Sequence, residues 1–283
     1  MRRVVVWAAL FVAFAMTFGA TPAEAQGRHE YSFHELTLPN GAGRAWVYLP
    51  EESAGERLPV VLIGPAGSHL FDGMTLGDGD RPEHIPYARA GFAVVSFDIP
   101  GMPRSDADQE IIRAARAFKD GDGGVANARA ALALALEQFP RLDANNVFTA
   151  GHSSAGTLSL TLCARLENLR GCVAYAPDVD LVATLDELAV ILEPYVPGER
   201  AFIRSISPIE QVAQIRSPVM IFNAQDDGVV PVAAIATYVQ RAEQAGVHVE
   251  RVVVPRGGHY QSMIDRGVPA GIAWMRQQME AAR

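Results

Sequence analysis

The segment that most restricts what this 283-residue chain can become is Val147-Phe148-Thr149-Ala150-Gly151-His152-Ser153-Ser154-Ala155-Gly156. Its β-branched and aromatic start reads as a strand, its small residues as a tight turn, and the stretch beyond them as a helix. A serine at the apex of such a turn sits on strained backbone, and strand and helix pass so closely that bulky neighbours are excluded. Gly151 meets that demand, whereas Ala155 departs from Gly-x-Ser-x-Gly by one methyl group and Gly156 comes directly after it. Alone, the segment fits plain packing as well as chemistry, so the rest of the chain decides between them.

Elsewhere strands and helices alternate. Tyr31–Leu38 and Ala45–Leu49 alternate apolar and polar residues around Pro39-Asn40-Gly41, the pattern of an opening hairpin. Leu58–Ile63 is a continuous apolar run, as in a strand buried on both faces. Strands are expected at Ala93–Phe97, Asn146–Ala150, Val173–Ala176, Val219–Asn223 and Val249–Val254, and helices at His84–Ala90, Ile111–Phe118, Val125–Phe139 and Ile235–Ala245. This order implies an α/β fold, a mostly parallel central sheet flanked by helices on both faces. Leu181–Ile206 interrupts the pattern, either as a small cap over a pocket or as an ordinary helix and loop.

Arg2-Arg3, an apolar run from Val4 to Phe18 and Ala23-Glu24-Ala25 describe a signal peptide at 1–25, cut before Gln26; an uncleaved anchor is the competing reading. The remaining residues, 26–283, show no repeat or linker and are expected to form one exported domain, periplasmic or secreted. Losing Arg2, Arg3 and Glu24 removes a net +1 and moves the formal charge from −8 to about −9. Arginines are scattered and no basic run alternates with aromatics, which argues against nucleic acid, and no later segment is apolar enough to span a bilayer. Cys163 and Cys172 enter an oxidising compartment on this account, either as a disulfide tethering a helix to a strand or as two small buried hydrophobes.

A serine hydroxyl needs a base to take its proton and an acid to orient that base. Asp226-Asp227 comes after the strand 219–223, and His259 lies on a glycine-rich turn after the last strand, giving the chain order Ser153, Asp227, His259. Singly, an Asp-Asp-Gly is a solvated turn and a loop histidine a surface residue. Jointly, each at a strand end, they can meet at one edge of the sheet. The pattern resembles the α/β-hydrolase superfamily, and within it the dienelactone hydrolase and prolyl oligopeptidase-like (peptidase S9) branch. Arg141–Val147 before Gly-His-Ser, Ser207-Pro208-Ile209 with Ile215–Ile221, and Asp98-Ile99-Pro100-Gly101-Met102-Pro103-Arg104-Ser105 carry the resemblance, over about 45–280.

The resemblance implies a catalytic triad with Ser153 as nucleophile, His259 as base and Asp227, aligned on Val-Val-Pro, as the acid; a one-residue slip would select Asp226. It implies an oxyanion hole from the Ser154 N–H and from the loop after 58–63. There His-Gly is replaced by Gly64-Pro65, and because proline has no N–H, Ala66 becomes the candidate donor. No cofactor is expected, and the substrate is a small ester or amide. Carboxylic-ester hydrolysis leads, small-peptide or amide hydrolysis is the alternative, and a non-catalytic exported binding protein is the reading from another class. Asp72, Asp78, Asp80 and His84 fit neither an EF-hand nor a zinc spacing, so no metal is expected. His69 and His84 read as surface or cleft residues and His152 as structural, while Asp178 and Asp180 are backup acids.

Overall fold

In a computed structural model of the chain, residues 30–51 and 57–281 are described. The expected signal peptide lies outside them. Eight strands form one sheet: β1 (Tyr31–Thr37), β2 (Arg44–Pro50), β3 (Leu58–Ile63), β4 (Ala93–Phe97), β5 (Leu142–His152), β6 (Leu169–Tyr175), β7 (Val219–Ala224) and β8 (Val249–Val254). Their spatial order is β1-β2-β4-β3-β5-β6-β7-β8. β1 pairs antiparallel with β2, and β2 with β4. The other five pairings are parallel. The mostly parallel sheet expected from the alternation is therefore present.

Between the strands run α1 (Arg81–Arg89), α2 (Asp108–Asp120), α3 (Val125–Gln138), α4 (Ser154–Arg165), α5 (Leu181–Leu192), α6 (Glu199–Ile206), α7 (Pro208–Gln211), α8 (Val232–Gln244) and α9 (Val268–Glu280). β3 explains the layering. Side chains alternate across a strand, so Val60 and Leu62 join the core under α3, α4 and α8, while Val61 and Ile63 join the core under α1 and α9. All four are at most 2% exposed, which is why β3 reads as an unbroken apolar run. No helix among the described residues is long and apolar enough to cross a membrane.

Leu181–Ile206 forms two helices, α5 and α6, packed on α2. Ala115 of α2 meets Leu192 and Val196, and the Arg116 guanidinium donates to the Tyr195 carbonyl from two nitrogens, at 3.0 and 2.6 Å. Cys163, at the end of α4, and Cys172, in β6, have their sulfurs 2.06 Å apart, joining helix to strand.

Candidate active site

β5 delivers Ser153 into α4 through an abrupt turn. Ser153 has φ 54° and ψ −122°, a conformation that costs a non-glycine residue roughly 1–3 kcal/mol. The surroundings enforce it: the Ser153 N–H donates to the Tyr175 carbonyl at 2.9 Å, and its own carbonyl accepts from the Thr157 N–H at 3.0 Å. A Cβ at Gly151 would lie 2.2 Å from the Ala155 carbonyl oxygen, so no side chain fits there. The bare Gly151 is what makes room for the Ala155 methyl. At Gly156 a Cβ would lie 3.0 Å from the Gly151 and Tyr175 oxygens. The close approach has thus moved one residue along, and the departure from Gly-x-Ser-x-Gly leaves the turn intact.

The expected acid and base arrive on the loops after β7 and β8. His259 Nδ1 lies 2.8 Å from Asp227 Oδ2, and the other carboxylate oxygen accepts from the N–H groups of Val229 (2.8 Å) and Val230 (3.1 Å). The Asp227 side chain is 1% exposed and that of His259 is 16% exposed. Burial pushes the Asp227 carboxyl upward, but the bonds from His259, Val229 and Val230 outweigh it and hold it below the ordinary value. It is therefore ionised at neutral pH and fixes the His259 tautomer, leaving Nε2 for a hydroxyl. Asp226 serves differently: its carboxylate accepts from Gly258 N–H at 2.8 Å and Gly257 N–H at 3.2 Å, clasping the turn that carries His259. Those two donors lower its pKa.

Ser154 opens α4, where backbone N–H groups lack partners within the helix. Its hydroxyl oxygen accepts from Gly67 N–H at 2.9 Å and Ser68 N–H at 3.1 Å, latching the loop after β3 to the nucleophile turn. The N–H of Ala66, the expected donor on this arm, is turned to Asp80, whose pKa burial raises to about 6 against the opposing Gly77 and Ala66 N–H groups.

The sequence profile of the prolyl oligopeptidase family matches residues 81–280, more than half of the chain. The chain belongs to the prolyl oligopeptidase family. Solved structures similar to this family member include the Pyrococcus horikoshii acylaminoacyl peptidase, at 14% identity and a TM-score of 0.66, covering 89% of this chain and 41% of that one. An S-formylglutathione hydrolase from Agrobacterium tumefaciens matches at 16% identity and TM-score 0.64, covering 89% and 97%. A Pyrococcus furiosus esterase matches at 15% and 0.60, covering 88% and 91%. At these identities the likeness shows the fold. This prolyl oligopeptidase-family chain spans about two fifths of the length of the peptidases it matches. No curated protein matches it.

The remaining candidates disperse. Asp180 caps α5, accepting from Ala183 N–H at 3.1 Å, and the Asp178 carboxylate accepts from Asp180 N–H at 3.2 Å; His259 is paired with Asp227 instead. Asp72 is buried and binds His69 twice, through the ring Nδ1 and the backbone N–H, each at 2.8 Å. That bond raises the pKa of His69, whose side chain is half exposed. Asp78 pairs with Arg81 at 2.8 Å. His84 is buried against Tyr48 rather than at the surface, and burial with nearby Arg81 pushes its pKa down to about 3. The four donors considered for a metal thus face separate partners. Glu83 and Tyr260 escaped the sequence: Glu83 is buried on α1 facing His152, and Tyr260 packs on the His152 ring. Neither lies in a motif, so only the fold reveals them.

Proposed function

We propose that this protein is an exported serine hydrolase acting on small carboxylic esters. Ser153 attacks the carbonyl carbon. His259 takes the hydroxyl proton and passes it to the leaving alkoxide, Asp227 holds the imidazole, and water then resolves the acyl-enzyme with the same proton traffic. The Ser154 N–H supplies an oxyanion donor. The observation that carries this reading is the buried Asp227 carboxylate 2.8 Å from His259 Nδ1. The His259 ring lies 4.5 Å, centroid to centroid, from the ring of His152, the residue before Ser153. Preference for esters over peptides draws on the S-formylglutathione hydrolase and the esterase, whose lengths this chain nearly covers. Family membership keeps amides as the second reading. Export rests on the leader-like start and on the paired cysteines.

The test is hydrolysis of p-nitrophenyl esters of increasing acyl length by residues 26–283, beside Ser153→Ala. Removing such a nucleophile typically lowers the rate about a million-fold. Comparable rates in the two proteins would end the assignment. Absence of labelling by a fluorophosphonate would leave the non-catalytic reading.

A further inference from the structure

His152 is the residue whose surroundings the chemistry above leaves unused. Its side chain is 5% exposed, and each ring nitrogen faces an oxygen. Nε2 lies 3.1 Å from the His259 main-chain carbonyl. Nδ1 lies 3.5 Å from Glu83 Oε1, itself on a side chain 9% exposed. A carbonyl can only accept, so Nε2 carries a hydrogen and donates it. The opposite edge of the ring is thereby turned toward Glu83, which packs beside it in the same buried place.

We propose that Glu83 and His152 form a positioning pair that holds the His259 main chain, and through it the imidazole, at the height Ser153 needs. The inference rests on the serine-hydrolase reading. Its logic is mechanical. Asp227 fixes the rotation of the imidazole from one side, and Asp226 clasps the turn through Gly257 and Gly258. Nothing in those contacts sets how closely the turn approaches β5. The bond from His152 does, because His152 ends β5 and its Nε2–H reaches the base's own carbonyl. Glu83, on α1, keeps the His152 ring from turning away. Asp80, Tyr87, Tyr175 and Tyr260 also lie within reach of this pair: the charge of Glu83 helps push up the Asp80 carboxyl and all three phenols. Tyr87 and Tyr175 share a hydroxyl–hydroxyl bond of 2.6 Å, so they are committed to each other.

Three variants separate positioning from plain packing. Glu83→Gln keeps shape, and its amide can donate to a neutral His152 Nδ1 while Nε2–H still reaches His259. It should hold kcat within about threefold of wild type. Glu83→Leu/His152→Phe replaces both buried partners by apolar groups of similar shape, a change that is often close to neutral for stability, yet it removes the donor. Its kcat on a p-nitrophenyl ester should fall about 10- to 100-fold with KM within about twofold, the scale expected for a misplaced catalytic group. His152→Gln, which restores an N–H near the same place, should recover part of that loss. The split between kcat and KM, with the recovery in His152→Gln, is the readout that packing alone would not move. A double variant that is folded by circular dichroism and retains wild-type kcat would overturn the proposal, as would a His152→Gln variant no more active than that double variant. An inert wild type that fluorophosphonate does not label would instead overturn the underlying serine-hydrolase reading.

Discussion

At the scale of single residues, the adjacent acids Asp226 and Asp227 show how one position changes a role. Both carboxylates are lowered in pKa by donors, but only Asp227 is buried and bonded to His259. Asp227→Asn should lower kcat/KM by on the order of 10⁴-fold, since an amide can hold the imidazole in the wrong tautomer. Asp226→Asn keeps an oxygen that can accept from Gly257 or Gly258, and should cost less than about tenfold on that scale. Steady-state kinetics on one ester decides it, and the reverse ranking would move the acid by one residue. The placement of Ser153, Asp227 and His259 after strands was legible in sequence because each comes after an apolar run. The part played by Ser154 Oγ, which latches Gly67 and Ser68, was not, because a hydroxyl in a turn has many local partners to choose from.

At the scale of elements, the most apolar strands were the most legible. β3, β4 and β8 have the bounds their apolar runs suggest. β5 begins at Leu142, four residues before the expected Asn146, because Leu58 pairs with Leu142 across a register shift that the polar Asp143–Asn146 stretch conceals. α9 left little trace, since Pro269, Gly267 and Gly271 look like breakers. Yet proline is tolerated in a first helical turn, and at Gly271 a Cβ would lie 2.0 Å from the Tyr175 hydroxyl, so only glycine lets this helix reach the sheet. The α4–β6 connection yields a measurable consequence. Cys163 and Cys172 are 9 residues apart, and closing so short a loop stabilises the native state by about 2–3 kcal/mol in the chain-entropy account. Cys163→Ala/Cys172→Ala should lower Tm by about 5–10 °C. Thermal unfolding with and without reductant, alongside thiol titration, tests it; two free thiols in unreduced protein with no change in Tm would defeat it.

At the scale of the whole molecule, the site is assembled from distant parts of the chain, and so is a second buried acid with no evident catalytic part. Glu83 reaches His152, and His152 reaches His259, only because β3, β5 and β6 place α1 and the last loops at one end of the sheet. Glu199 of α6 is fully buried, with no hydrogen-bond partner for either carboxyl oxygen among the described residues. Burial raises its pKa to about 7; Lys119 opposes the shift and Glu193 adds to it. Proton counting sets the sign. An unfolded glutamate loses its proton near its ordinary value, whereas the folded protein keeps it to about pH 7, so between these limits the native state binds more protons and stability falls as pH rises. Above that window the loss is complete and constant. Glu199→Gln, which mimics the protonated acid, should unfold like wild type below the ordinary glutamate value. At pH 8 it should be more stable by on the order of 1 kcal/mol, a Tm gain of roughly 2–4 °C. Tm curves for the two proteins that stay parallel from acid to pH 8 would mean that Glu199 ionises as freely in the folded chain as in the unfolded one. If the curves diverge as expected, α6 and the α2 surface beneath it are held in part by a carboxylic acid kept neutral, and mild alkali should loosen that corner before the sheet.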